Sequence, residues 1–115
     1  MIERVKLSAA AKQQLITLKR RTGIEHYNVI CRHALCISLQ NSAKVPAESI
    51  QFNNGIEIDW SVFAGIAEET YLNLLIERSI QDEGDSSPIT VRQTLTSHLH
   101  RGLSYLASNS NLMLV

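Results

Sequence analysis

One glycine between two helical stripes constrains this chain most tightly. Ala11, Leu15, Leu18 and Thr22 recur at helical spacing, and so do Tyr27, Ile30, Cys31, Ala34, Leu35 and Ser38. Ser8 precedes the first stripe as an N-cap whose hydroxyl can accept from a first-turn amide. Gly23 follows it, and glycine takes the left-handed conformation that ends a helix without a Cβ penalty. The spacing predicts helices over Ala9–Thr22 and about Glu25–Gln40. Joined by so short a turn, they must form an angled hairpin. Upstream, Ile2, Arg4 and Lys6 alternate with Glu3, Val5 and Leu7, as in a half-exposed strand.

Beyond the hairpin, residues 41–55 read as loop, and Asn54-Gly55 is a strong turn signal. Ile56, Ile58 and Trp60 alternate with Glu57 and Asp59, the pattern of a short strand. Pairing it with residues 2–7 would set Arg4 and Lys6 against Glu57 and Asp59. Phe63, Ile66, Ala67, Thr70, Tyr71, Leu74 and Leu75 form a third helical stripe, and Leu72, Ile76 and Ile80 add a second apolar row. An arc this wide is buried on two sides, against the core and either another subunit or more of the same chain. Tyr71, Leu72, Ile76 and Ile80 are therefore the candidate oligomer interface. A polar linker, Asp82 to Pro88, leads to a capping-box pattern at Thr90-Val91-Arg92-Gln93. The last helix then runs to about Ala107, with Val91, Leu95, Leu99, Gly102, Leu103 and Leu106 inward. The apolar tail Leu112-Met113-Leu114-Val115 either docks or is disordered. Residues 1–115 read as a single α+β domain, mainly helical. It is a strand–helix–helix unit, then a second short strand and two further helices.

Composition narrows the function classes. Apolar residues are 44% of the chain and charged residues 19%, which excludes a disordered polypeptide. No apolar run reaches the roughly 18–20 residues of a membrane span. The N-terminus lacks a signal-peptide core, so a cytoplasmic protein is expected. Aromatic residues are only 5%, too few for a platform that stacks single-stranded bases. The overall charge of zero hides a split. Over residues 1–44, Arg4, Lys6, Lys12, Lys19, Arg20, Arg21, Arg32 and Lys44 face only Glu3 and Glu25, a net +6. Over residues 45–87, Arg78 stands alone against nine acids, a net −8. Either the N-terminal part faces an anion, or the two parts neutralise each other in the fold.

Catalytic constellations are missing from the sequence. Cys31 and Cys36 lie about 140° apart on their helix, and His98 and His100 about 200° apart, so neither pair holds one metal. His33 and Cys36 could share a face, but two ligands do not make a zinc site. Both cysteines read as core packing. Glu57 and Asp59 share one side of a short strand, and Glu68 and Glu69 suit the N-terminal dipole of a helix. Tyr27, Tyr71 and Tyr105 sit on or beside apolar stripes. There is no P-loop, G-x-G-x-x-G or G-x-S-x-G, and no metal or cofactor is expected. Phosphate contact needs only cations on a rigid element. The candidates are Arg4, Lys6, Lys12, Lys19, Arg20, Arg21 and Arg32. Asn28 and Gln13 could read base edges, though nothing singles them out.

The stretches Leu18-Lys19-Arg20 … Thr22-Gly23-Ile24, Ile56 to Phe63, and His98-Leu99-His100-Arg101-Gly102 carry a resemblance across nearly the whole chain. It resembles the DNA sulfur modification protein DndE family of bacterial phosphorothioation systems, which replace a non-bridging phosphate oxygen by sulfur. The resemblance implies a small subunit that binds double-stranded DNA, at nicks or elsewhere. It works beside a cysteine desulfurase, an iron–sulfur sulfurtransferase-like protein and an ATPase. It also implies a homo-oligomer, a tetramer. The residues favour binding over cutting. The alternatives are a metal-dependent nickase and a scaffold whose acidic middle docks partner proteins. The strand–helix–helix order is similar to that of ribbon–helix–helix proteins, which would make Arg4 and Lys6 DNA-facing.

Overall fold

The structure, a computed structural model, describes residues 1–109; the apolar tail at 112–115 lies outside them. A strand β1 (Arg4–Leu7) leads into helices α1 (Ala9–Thr22) and α2 (Tyr27–Gln40). Strand β2 (Ile56–Asp59) is followed by a short helix α3 (Trp60–Ala64) and a 3₁₀ turn (Gly65–Ala67). Helices α4 (Glu68–Glu83) and α5 (Pro88–Ser108) complete the fold. The mainly helical α+β class and the strand–helix–helix opening are as the sequence predicts.

Local chemistry sets most boundaries. The Ser8 hydroxyl accepts from the Ala11 amide at 3.0 Å and starts α1. Gly23, at φ 74°, ends it with its N–H on the Lys19 carbonyl. Helix α2 begins at Tyr27, two residues later than the sequence suggests, because Glu25 and His26 complete the turn. The ribbon is antiparallel, with Arg4 opposite Asp59 and Lys6 opposite Glu57, as charge complementarity predicts.

Three expectations need correction. Trp60 is not a strand residue: β2 stops at Asp59, and Trp60 opens α3 with its indole buried and stacked on Phe63, ring centroids 5.5 Å apart. The stripe from Phe63 onward is not one helix. Gly65 at φ 60°, ψ −140° turns the chain between α3 and α4, a conformation that a Cβ resists. The apolar periodicity runs straight across that break, so the pattern alone does not reveal it. Helix α5 begins at Pro88, three residues before the Val91 start that a Thr90 capping box implies. Ser87 is its N-cap, accepting from the Thr90 amide at 3.5 Å, and Pro88 occupies a first-turn position where no amide donor is needed.

Helix α5 is the central pillar. Val91, Leu95, Leu99, Leu103 and Leu106 are buried along it, and its contact with α2 is the most extensive in the molecule. The two helices cross at Gly102, where a Cβ would collide with the Ala34 carbonyl. Helices α1 and α4 and strand β1 pack around the same pillar. Gly102→Ala should therefore lower the unfolding free energy by about 1–3 kcal/mol, the usual cost of overpacking a closed contact. Urea unfolding measures it, and an unchanged midpoint would mean the crossing is looser than described.

Candidate nucleic-acid interface

The seven candidate cations fall into three groups. Lys12 and Lys19, seven residues apart, project from one flank of α1, and Arg20 from the adjoining row. The exposed side chains of Gln13 and Ile16 fill the same surface. Lys19 lies 5.5 Å over the Tyr27 ring, at a shallow groove shared with Glu25, His26, Asn28, Ile58 and Val62. That groove opens at the N-terminus of α2, where His26 makes no side-chain capping bond. Among the described residues, Lys12, Lys19 and Arg20 have no carboxylate within ion-pair distance.

Arg21 and Arg32 are engaged elsewhere. Arg21 falls on the opposite flank of α1 and donates to the Ala107 carbonyl at 2.8 Å, near the end of α5. Arg32 donates to the Phe63 carbonyl at 2.7 Å, and Asn28 one turn earlier donates to Val62 at 3.2 Å. Together they hold the last carbonyls of α3. Arg4 and Lys6 share the exposed face of the ribbon with Glu57 and Asp59. Arg4 lies 3.2 Å from Asp59 and 3.7 Å from Glu57, so that face is close to charge-balanced.

A second, buried polar cluster joins α2, α4 and α5. Arg78 donates to the carbonyls of Leu39, Asn41 and Ala43 and, through Nε, to Asp82 at 2.9 Å. Arg101 donates to the Ser38 and Ala43 carbonyls and, through Nε, to Ser38 Oγ at 2.8 Å. His98 lies between, Nε2 against Asp82 at 2.9 Å and Nδ1 against Ser38 Oγ at 2.8 Å. With Nε2 protonated, His98 donates to Asp82 and accepts from Ser38, which satisfies every member. Two residues on, His100 reaches the other side of α5. Its Nδ1 donates to the Thr96 carbonyl and its Nε2 accepts from the Ser8 amide at 3.1 Å, fixing the β1–α1 junction.

Residues 4–113 match the family described as DNA sulphur modification protein DndE. This chain belongs to the DndE family. The crystal structure of DndE from Escherichia coli B7A, involved in DNA phosphorothioation modification, is similar with a TM-score of 0.74 at 20% identity. The likeness covers 92% of this chain and 98% of that one, and it shows the fold. No curated protein matches.

In this DndE-family chain the stretch His98-Leu99-His100-Arg101-Gly102 turns out to hold the fold's centre. Sequence reading considered the two histidines only as metal ligands and missed their structural use, because their partners lie 16, 60 and 92 residues away. Ser38, His98 and Asp82 form the hydrogen-bond chain of a hydrolytic triad. Yet Ser38 is 3% exposed and its hydroxyl is occupied by Arg101, so no substrate reaches it. Among the described residues, no group of three or more His, Cys, Asp or Glu could hold a metal ion. No helix there is long and apolar enough to cross a membrane. Both cysteines are free thiols; burial pushes the Cys31 thiol up to about 12, and it packs in the core.

The candidate oligomer face divides. Tyr71, Leu72 and Ile76 lean on the chain's own core, whereas Ile80 is 53% exposed and Leu74 joins it at the surface.

Burial holds both histidines below the ordinary imidazole value. At His98 the neighbouring Arg78 and Arg101 add to burial and outweigh Asp82; at His100 burial outweighs the Thr96 carbonyl and Glu48. Burial alone would raise Asp82, but hydrogen bonds from His98 and Arg78 outweigh it and hold the carboxyl below its usual range. A histidine held neutral in the fold contributes stability above its unfolded value of about 6.5, and that contribution fades as pH falls below it. Asp82 adds a further loss at lower pH, below about 3.9. The urea midpoint should therefore fall between about pH 7.5 and 5.5, and fall less in His100→Gln. Equal midpoints at the two pH values would contradict the neutral-histidine assignment.

Proposed function

We propose that this chain is a DNA-binding subunit of a DNA phosphorothioation complex and grips the duplex backbone through α1. The carrying observation is the flank of Lys12, Lys19 and Arg20, which has no acidic partner among the described residues. Backbone contact needs rigidly held cations and no base-reading side chains. Helix α1 is rigid because Ala11, Leu15 and Leu18 anchor its other side. The open first turn of α2 beside Lys19 adds amide donors of the kind that favour phosphate. Family membership and the likeness to a protein of DNA phosphorothioation supply the pathway.

In this reading Arg21 and Arg32 stiffen the face rather than touch DNA, Arg4 contributes little because Glu57 and Asp59 hold it, and Lys6 lies on the ribbon, off the α1 flank. The same two acids are the pair a metal-dependent nickase would use, and Arg4 sits on them. A homo-oligomer, tetrameric as the resemblance implies, would bring several α1 faces to one duplex. Its contact would be built on Ile80 and Leu74 of α4. The sulfurtransferase-like and ATPase proteins of the system are the proposed protein partners.

Fluorescence anisotropy with intact and nicked duplex at two salt concentrations tests the reading. Each phosphate contact contributes about −0.9 to the log–log salt slope. Lys19→Glu with Arg20→Glu should weaken binding to every sequence and make the slope shallower, while helical content stays the same. Unaltered binding at both salts would assign the charge split to protein pairing instead. Light scattering should give at least twice the monomer mass, and Ile80→Asp should lower it. A wild-type monomer at micromolar concentration would remove the α4 interface.

A further inference from the structure

Among the described residues, strand β1 has one neighbour, β2. Trp60 donates its amide to the Glu3 carbonyl, so in the antiparallel register Glu3, Val5 and Leu7 direct their backbone groups toward β2. Arg4, Lys6 and Ser8 must direct theirs the other way. Ser8 confirms this, since its amide meets His100 on α5. The N–H and C=O groups of Arg4 and Lys6 have no hydrogen-bond partner among the described residues. This is an open strand edge.

The edge borders a groove of about 410 Å³ that runs between β1, the loop around Glu48–Phe52 and the first turns of α5. Ile50 and Leu95 give it an apolar lining. Phe52 and Ile89 stand at it with 41% and 59% of their surface exposed. Lys6 and Arg92 add positive charge, with Glu48 the one acid in the lining. Neither cation has a carboxylate partner among the described residues; Arg92 donates only to the Met1 carbonyl.

We infer that this groove takes an extended segment of a partner protein in which apolar residues alternate with acidic ones, added as a third strand on β1. Main-chain bonds to Arg4 and Lys6 would supply affinity, and alternate side chains specificity. Along a strand, successive side chains point to opposite faces. The apolar set would sit over Ile50, Leu95, Phe52 and Ile89, and the carboxylates beside Lys6 and Arg92. A nucleic-acid strand fits less well. The apolar part of its lining is aliphatic apart from Phe52, so a single ring is offered for bases to stack on. The docking edge is separate from the α1 face, so either reading can fail alone.

The test uses the full chain, ¹⁵N-labelled, with a short fluorescein-labelled peptide of alternating valine and glutamate. The control peptide has the same composition with proline at alternate positions. The valine–glutamate peptide should protect the Arg4 and Lys6 amides from hydrogen exchange, and the proline peptide should not. Arg92→Glu, an exposed change, should weaken the peptide about tenfold, and Phe52→Ser should act in the same direction. Both should leave duplex binding unchanged. Any of these results would overturn the inference: binding without protection of Arg4 and Lys6, equal binding of the proline peptide, or displacement of the peptide by a single-stranded oligonucleotide that shifts the same amides. Concentration-dependent protection without any peptide would also overturn it, since a second copy would then occupy the edge.

Discussion

The last carbonyls of a helix have no partners within the helix, and this fold answers that shortage mostly with arginine. Arg78 and Arg101 close the end of α2, Arg32 closes α3 with help from Asn28, and Arg21 reaches the end of α5. Each guanidinium crosses from another helix, so each capped end is also a joint between elements. A cation at a helix C-terminus also complements the dipole there, a contribution of up to about 2 kcal/mol where partly buried. The α2 joint is the most demanding. Two guanidiniums meet one carboxylate, Asp82, and the negative end of α2 makes up much of the difference. A protonated His98 would add a third positive charge to the same small volume. Its neutrality is a condition for the joint.

This use of arginine sorts the cations by role. The lysines and Arg20 on α1 have no carboxylate partner among the described residues, whereas the arginines at helix ends are committed to carbonyls. Guanidinium suits the second task because its donors lie in a rigid fork and its charge is permanent. The sequence's charge split is therefore resolved in two ways. Arg4 and Lys44 neutralise acids of the middle region, Lys44 through Glu83 at 3.0 Å. The proposed DNA face rests on those that do not.

Much of the fold was legible because its determinants are local. Ser8 and Gly23 mark the ends of α1, and the alternation at Val5, Leu7, Ile56 and Ile58 gives both strands. The opposite charges of Arg4 and Asp59 even indicate their pairing. The break at Gly65 was not legible, since Phe63, Ile66 and Tyr71 keep helical spacing across it. Trp60 looked like a strand residue because an apolar side chain opening a helix and one ending a strand point the same way. Arg78 stands in the sequence as the one cation among nine acids, and nothing there shows that it is 6% exposed. Its partners at Leu39, Asn41 and Ala43 belong to a loop with no pattern of its own. Of the candidate site, the exposed row on α1 could be read from periodicity. The commitment of Arg21 and Arg32 could not, because it depends on where α5 and α3 end.

The placement of α5 also bears on how the molecule comes to exist on the ribosome. The helix that fills the centre is the last element described, and Gly102 must meet Ala34 across most of the chain. Until α5 emerges, the inner faces of α1 and α2 have only partial cover, from each other and from α3, and β1 waits for a strand about fifty residues downstream. Long-range closure of this kind slows folding and leaves apolar surface open in the meantime. The nascent hairpin is therefore the stage at which this chain leaves the most apolar surface open.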